Sequence, residues 1–597
     1  MTPTPTPTTP PPGELPAWVL DDLYPGGESA ELAADLAEAE RAAEAFATRY
    51  RGRLGELDGA SFGRAIVEFE RISELLSRVM SYAGLLYSIN QVDPGVGRFF
   101  QAMQERVTVI SSLPLFFTLE INKMDDDTFA AKLTAPETVR YKPWLQDLRA
   151  FRDHQLSEEV ERVLNERSVV GTAAWVRLFD ETLAALRFEV DGHSLTLTEA
   201  LDLLSDPEPG TRRTAGKAVG KVLGENLRLF SRITNTLVKE KEIDDQWRKY
   251  PHPVSSRNLA NQVEDEVVEA LVAAVRGAYG DLAHRYYAMK ARWLGLERLE
   301  YWDRNAPLPD DDDRRYTWTE ARDTVLAAYD RFSPELGAIG RTFFERPWID
   351  AGVRPGKSSG AFAHPTVPAV HPYLMLNFMG RSRDVMTLAH ELGHGVHQVL
   401  AAPQGLLLSS TPLTLAETAS VFGEMLTFRA LLDAETDPRR RRVLLASKVE
   451  DMLNTVVRQV AFHSFEQAVH AGRREGELSD GQLGDIWMAV QSESLGPAFH
   501  FDEEYRHYWA YISHFVHAPF YVYAYAFGDC LVNSLYAVFE GGAPGFQDKY
   551  LTLLRAGGTL RHGELLAPFG LDASDPAFWS RGLGVIGGFI DQLERLG

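Results

Sequence analysis

Cysteine is almost missing from this chain. One residue, Cys530, stands among 597, so no intrachain disulfide can form. That usage suits a reducing compartment. Cys530 lies in an apolar run, residues 526–531, with no CxxC partner, and reads as a small buried residue. Long apolar runs are missing too, since no stretch approaches the roughly 20 apolar residues that a membrane-spanning helix needs. Positive charge is scarce. Lys and Arg number 61 against 84 Asp and Glu, for a net charge of −23. Such a surface repels phosphate backbones and anionic lipid, so nucleic acid and membrane are excluded as expected partners. The one basic run, Arg439 to Arg442, follows Asp437-Pro438 and reads as the solvated start of a helix. Residues 1–12 hold only Thr and Pro after Met1, without the basic and apolar regions of a secretory signal. They read as an extended tail, and the protein is expected in the cytoplasm.

What is present is a globular balance, 45% hydrophobic and 24% charged, in a chain too long for one ordinary core. Helical periodicity dominates. Leu32, Leu36, Ala39, Ala43 and Phe46 fall on one face, as do Val267, Leu271, Ala274, Ala278 and Leu282, the latter after the plausible caps Asn258 and Asn261. Similar stripes fill most of residues 17–295 and 415–597. A break near 206–210 and the acidic loop 309–313, read as a solvated turn, interrupt them. Residues 318–384 differ. They are rich in Gly and Pro, with a loop entering a strand at 354–362 and a short strand at 373–378. The expected architecture is mainly α, with a small β-sheet just before residues 387–398. The expected division is a Thr/Pro tail over 1–16, an N-terminal helical lobe over 17–205 and a catalytic helical region over 206–597.

Residues 387–398 read TLAHELGHGVHQ. On a helix, residues four apart share a face, so His390 and His394 can direct two imidazole nitrogens at one metal ion. Glu391 lies one residue further round, beside the metal, where it can take a proton from an attacking water. Chance alone would produce HExxH about 0.03 times in a chain of this length and composition, so the match is informative only in context. The context is a helix-compatible apolar surround, with Asp384 placed to favour the helix N-terminus.

A catalytic zinc needs a third protein ligand and an open position. The extended pattern HExxHxxGxxH would need glycine where this chain has His397 and histidine where it has Leu400, so the third ligand comes from elsewhere. Residues 415–426 read LAETASVFGEML. The intervening chain is long enough for one helix to end near 403–405 and a second to return. Glu417 and Glu424 are seven apart on one face, among Leu415, Val421 and Leu426. Two carboxylates in such surroundings are costly without a cation or donors. Glu417 is therefore assigned as the ligand and Glu424 as the acceptor that orients a ligand histidine. His397, three residues after His394, is expected to pack near the metal without binding it. The expected cofactor is one Zn2+ per chain.

Taken together, these residues resemble the thimet-oligopeptidase-like zinc metallopeptidases, in the oligoendopeptidase F branch. The resemblance rests on HELGH with the downstream LAETAS, on DAGVRPGKSSGAF at 350–362, on PYLMLNF at 372–378 and on FVHAPFYVYAYAFG at 515–528. It is strong over about 300–530 and weaker over most of the chain after the tail. It implies an elongated, two-lobed helical fold around a deep channel, with zinc at the channel floor. It also implies endopeptidase action on short unstructured oligopeptides and a His- and Tyr-bearing segment that meets the substrate carbonyl.

Here that segment is residues 514–525. With a helix starting near Pro519, Tyr521 and Tyr525 share a face and Tyr523 points elsewhere, while His514 and His517 can fold over the same face. His514, His517, Tyr521 and Tyr525 are the candidates, and which of them contacts the oxyanion stays open. Residues 373–378 can pair with a peptide backbone by strand addition, with Gly360, Ala361, Leu376 and Asn377 as substrate-binding candidates. The competing readings are a catalytically silent peptide-binding protein with the same channel and a helical scaffold with a chance HExxH.

Overall fold

Apolar stripes become buried helix faces over most of the chain. Leu32, Leu36, Ala39, Ala43 and Phe46 form the buried side of the helix Ala30–Tyr50, which starts where the Ser29 hydroxyl accepts the Leu32 N–H. The second stripe begins later than expected. Asp265–Gly277 has Glu264 at its N-cap position, with no side-chain capping bond. Asn258 and Asn261 do not cap it, because their side-chain amides donate instead to Asp265 and to the Tyr523 hydroxyl. This computed structural model describes residues 15–596 except 92, 310–313, 355 and 359. The Thr/Pro tail up to residue 14 and most of the acidic loop lie outside the described residues. The fold is mainly helical, with a few short strands.

By contact the chain divides into two units of three stretches each. One holds residues 1–155, 313–434 and 542–570, the other 156–312, 435–541 and 571–597. This division differs from a linear one at 205/206. The cause is pairing between the N-terminal stretch and the middle of the chain. Val19 N–H donates to the Pro347 carbonyl, Ala351 N–H to Pro16, Gln91 N–H to Gly356 and Ser358 N–H to Ser88.

In the first unit, three short strands lie just before the helix that carries the metal motif, as the Gly/Pro-rich region suggested. They are β1 (Ile349–Asp350), β2 (Phe362–His364) and β3 (Tyr373–Met375). β3 is central, parallel to β1 and antiparallel to β2. The expectation that residues 373–378 offer an open edge is therefore corrected. β3 is bonded on both sides, and the edges are β1 and β2. Asp350, 1% exposed, ties the following loop to the sheet. Its carboxylate pairs with Arg354 and with Lys357 at 2.6 Å. The chain then enters α1 (Ser382–Ala401) and returns through α2 (Ser420–Ala434).

The second unit has its own core, running from Phe179 and Phe188 through Phe462, Trp487 and Val522. It contains α3 (Val457–Glu475) and α4 (Tyr523–Glu540). Cys530 on α4 is buried and free. Among the described residues no helix is long and apolar enough to cross a membrane.

The helix Pro576–Arg595 lies against α4 so closely that a Cβ on Gly582 would run into the Cys530 carbonyl oxygen, a backbone atom that cannot swing away. Gly582→Ala is expected to destabilise this unit by about 1–3 kcal/mol, the usual cost of overpacking. A melting temperature equal to that of the wild type would show that the two helices can separate without penalty.

Candidate metal centre

The metal motif lies on a helix because its residues are good helix formers and Asp384 closes the first turn. The Asp384 carboxylate accepts the N–H groups of Met379 and Arg381, both at 2.9 Å. Leu388, Leu392 and Val396 bury one side of α1, which leaves His390 and His394 on a less buried side, their ring centroids 4.9 Å apart.

The return helix approaches through glycines. A Cβ on Gly393 would stand 2.5 Å from the Ala419 carbonyl oxygen and 2.6 Å from Ser420 Cα. The glycine of HELGH is thus the contact point between α1 and the start of α2. Tyr329 passes over Gly423 and donates to the Ala389 carbonyl at 2.7 Å. Tyr550 donates to the Thr418 carbonyl at 2.8 Å. These contacts hold Glu417 beneath the imidazoles.

His390 Nε2 lies 3.3 Å and His394 Nε2 3.4 Å from the same oxygen, Glu417 Oε2. Donors about 2.0–2.1 Å from a tetrahedral zinc stand about 3.3–3.4 Å from one another, so both imidazole-to-carboxylate distances have the length of a tetrahedral edge. It is one of two groups of metal-binding type found among the described residues. His390 Nδ1 faces Glu424 Oε2 at 3.3 Å, so that carboxylate fixes the ring with Nε2 turned towards Glu417.

The charges are mutually dependent. Burial would raise the Glu417 carboxyl, but the His394 and His390 imidazoles and the Ser420 hydroxyl outweigh it and hold the group down to about 2. Burial would lower His390, yet Glu424, Glu417 and Glu391 outweigh it and raise the ring to about 9. The donor set, two imidazoles and one carboxylate, fits the three protein ligands of a catalytic zinc.

Glu391 is 7% exposed, and burial holds its carboxyl above the ordinary carboxylate range. The Ala363 backbone N–H of β2 bonds to it, and Gln398 donates to the Ala363 carbonyl. His397 is buried, which lowers the ring to about 4, and the Ala416 carbonyl accepts a hydrogen bond from it. Beside His394 opens a cavity of about 480 Å³, with Ile339, Trp348, Val367 and Gln398 among its walls.

Of the substrate-binding candidates, Leu376 has both backbone groups engaged: its N–H donates to Asp350 and its carbonyl accepts from Lys357. The Asn377 side chain ties down the Ser358 and Gly360 carbonyls, each at 2.9 Å. Gly360 is exposed at φ +83° and Ala361 is half-buried.

The His/Tyr segment lies in the second unit. His514, Tyr521 and Tyr525 come together, with the tyrosine rings 5.1 Å apart and His514 Nε2 3.4 Å from the Tyr525 hydroxyl. His517 bonds to Asp180 at 2.7 Å. Tyr523 is fully buried, and its hydroxyl accepts from Asn261. The helix starts at Tyr523 and not near Pro519, because Phe520 takes a left-handed φ of +58° that breaks it.

Sequence reasoning passed over Tyr329, Ser420 and Tyr550. Of these, only Ser420 carried a signal. It lies three residues after Glu417, and its hydroxyl donates to the ligand oxygen at 2.6 Å.

A mainly helical fold that brings two histidines of one helix to a glutamate in the turn before the next is compatible with a metallopeptidase. The comparisons with known proteins narrow that class. The Peptidase family M3 model matches residues 202–585, and the Oligopeptidase F model matches residues 120–188. The chain belongs to Peptidase family M3 and is a metalloendopeptidase of the oligoendopeptidase F kind. It is 25% identical to Oligopeptidase PepF of Bacillus subtilis, over 97% of this chain and 87% of that one. It is 26% identical to Group B oligopeptidase PepB of Streptococcus agalactiae, over 90% and 91% of the two chains. The crystal structure of oligoendopeptidase-F from Enterococcus faecium superposes with a TM-score of 0.72, at 22% identity, over 95% of this chain and 97% of that one.

The geometry separates the two glutamates. Glu417→Ala is expected to abolish stoichiometric zinc binding. Glu424→Ala is expected to weaken affinity by about 10–100-fold, since it only releases the His390 ring. A zinc titration giving the reverse ranking would mean that the two roles are exchanged.

Proposed function

We propose that this protein is a zinc-dependent endopeptidase that cuts short unstructured peptides internally, with Glu391 as the base. The observation that carries the reading is that His390 and His394 both approach one oxygen of Glu417 at 3.3 and 3.4 Å, with Glu391 one residue round the helix. Zinc, when bound, polarises the scissile carbonyl and makes water acidic enough to attack at neutral pH.

The remaining chemistry belongs to the chain. Glu391, made more basic by burial, takes the proton of the attacking water and returns it to the leaving amine. The N–H of Ala363 holds the carboxyl in place while it does so. Glu424 keeps the His390 ring from turning. By the same family resemblance, a donor from His514, His517, Tyr521 or Tyr525 stabilises the oxyanion. The clustering of His514 with Tyr521 and Tyr525 favours these three over His517, which is engaged with Asp180. The cavity beside His394 has room for a substrate side chain, and its Ile339, Trp348 and Val367 walls favour an apolar one. The protein works in the cytoplasm, on peptides rather than on nucleic acid or membrane.

Glu391→Gln keeps the shape of the side chain and removes the base. Its kcat on an internally quenched peptide should fall about 10²–10⁴-fold while one zinc per chain is retained. Near wild-type turnover by the variant would place the base elsewhere. A catalytically silent peptide binder would bind the same peptide and leave it whole in both forms.

Substrate size gives a second test. Threading an unstructured peptide costs about 1–2 kcal/mol per ordered residue, whereas opening a folded domain first costs about 5–15 kcal/mol more. Short peptides should be cut internally and a stable folded protein left intact, as read by mass spectrometry. Rapid cleavage at sites buried in the folded protein would rule out the restriction to flexible chains.

A further inference from the structure

Tyr521 and Tyr525 stand on either side of the start of α4, and the chain reaches them through an unfavourable turn. Phe520 has φ +58°, a left-handed conformation that costs an ordinary L-residue roughly 1–2 kcal/mol. It is also fully buried, at 1% exposed, so its N–H cannot turn to water. Leaving that donor unpaired would cost about 1–3 kcal/mol more. The partner it finds is a side chain. Glu466, on α3 and 3% exposed, accepts the Phe520 N–H at 2.8 Å.

Other contacts converge on the same turn. The Phe520 ring packs on His470 at 4.8 Å and on His463 at 5.7 Å. Arg257 Nε donates to the Pro519 carbonyl at 3.3 Å, and its guanidinium lies 5.9 Å from the Tyr521 ring. Asn261 holds the Tyr523 hydroxyl at 2.9 Å. A carboxyl group is an unexpected choice for a merely structural acceptor here. Its second oxygen has no hydrogen-bond partner among the described residues, and no salt bridge joins it to Arg257 or Lys241.

We propose that Glu466 is a positioning residue, whose carboxyl fixes the left-handed turn at Phe520 and through it the orientation of Tyr521 and Tyr525. The inference rests on the reading of those tyrosines as oxyanion donors. If Phe520 relaxes to a right-handed or extended φ, the direction of the chain changes one residue before Tyr521 and three before α4 begins. The tyrosine hydroxyls then move while the fold of the unit is kept. Burial pushes the Glu466 carboxyl up to about 8, so near neutral pH it bonds as the uncharged acid. Glutamine can therefore replace it.

The test uses the zinc-loaded enzyme and a quenched reporter peptide. Glu466→Leu removes the acceptor, and kcat should fall about tenfold or more, as expected when reacting groups are displaced by about 1 Å. KM should change less than about threefold, because no substrate contact is lost. Glu466→Gln keeps an oxygen acceptor and should restore kcat to within about threefold of the wild type. Glu466→Asp withdraws the carboxyl by one methylene, and it should match Glu466→Leu, serving in its place if the leucine variant does not fold.

Wild-type kcat in either Glu466→Leu or Glu466→Asp overturns the proposal. So does a Glu466→Gln variant as impaired as Glu466→Leu, or a loss confined to KM. Tyr521→Phe and Tyr525→Phe are measured alongside. If neither lowers kcat, the tyrosine reading fails and the positioning role falls with it. If either does and the Glu466 variants do not, only the positioning role is lost.

Discussion

A missing side chain sets the distance on which the metal centre depends. Gly393 lets the backbone at Ala419 and Ser420 lie directly on α1, and only at that separation does Glu417 reach the imidazoles of His390 and His394. The Tyr329 hydroxyl bond to Ala389 and the Tyr550 bond to Thr418 fasten the two sides from outside. Gly423 leaves the space through which Tyr329 passes. The donor atoms belong to His and Glu, while their geometry is set by glycines and tyrosines that pack and bond on the backbone around them.

The same closeness couples the charges. Three carboxyl groups, Glu391, Glu417 and Glu424, face two imidazoles in a half-buried cluster. The imidazoles hold Glu417 ionised, and the carboxylates hold a proton on His390. A divalent cation that binds here must displace that proton, so metal and acid compete for one place, and acid favours the empty centre.

Much of this was legible in the sequence because it repeats with helical periods. The spacing of four between His390 and His394 shows directly that they share a face, whereas Glu417 lies in the turn before the helix of Glu424, so their spacing of seven is not one helix face. The structure brings these four side chains together. Gly/Pro enrichment likewise announced a small sheet before α1, but not its strand order. Periodicity cannot say that residues 373–375 are central, nor that Val19 and Ala351 find partners hundreds of residues away or next to the chain's start. The start of α4 was misjudged for a related reason. Proline is a common first residue of a helix, but here Phe520 takes a left-handed conformation fixed by a distant glutamate, and no local pattern encodes that. Tyr329 and Tyr550 were illegible because each acts through one hydroxyl on a backbone carbonyl, leaving no trace in spacing.

The interleaving of the two units bears on how the protein is made. The first unit draws its last stretch from residues 542–570 and the second from 571–597, so neither can be finished while much of the chain is still being synthesised. The helix Phe546–Ala556 supplies Tyr550, which braces the carbonyl one residue after Glu417. Until the ribosome has passed that helix, the motif at 390–394 exists as sequence without its buttress. The order of the segments thus delays the bracing of the motif until nearly the whole chain has been made.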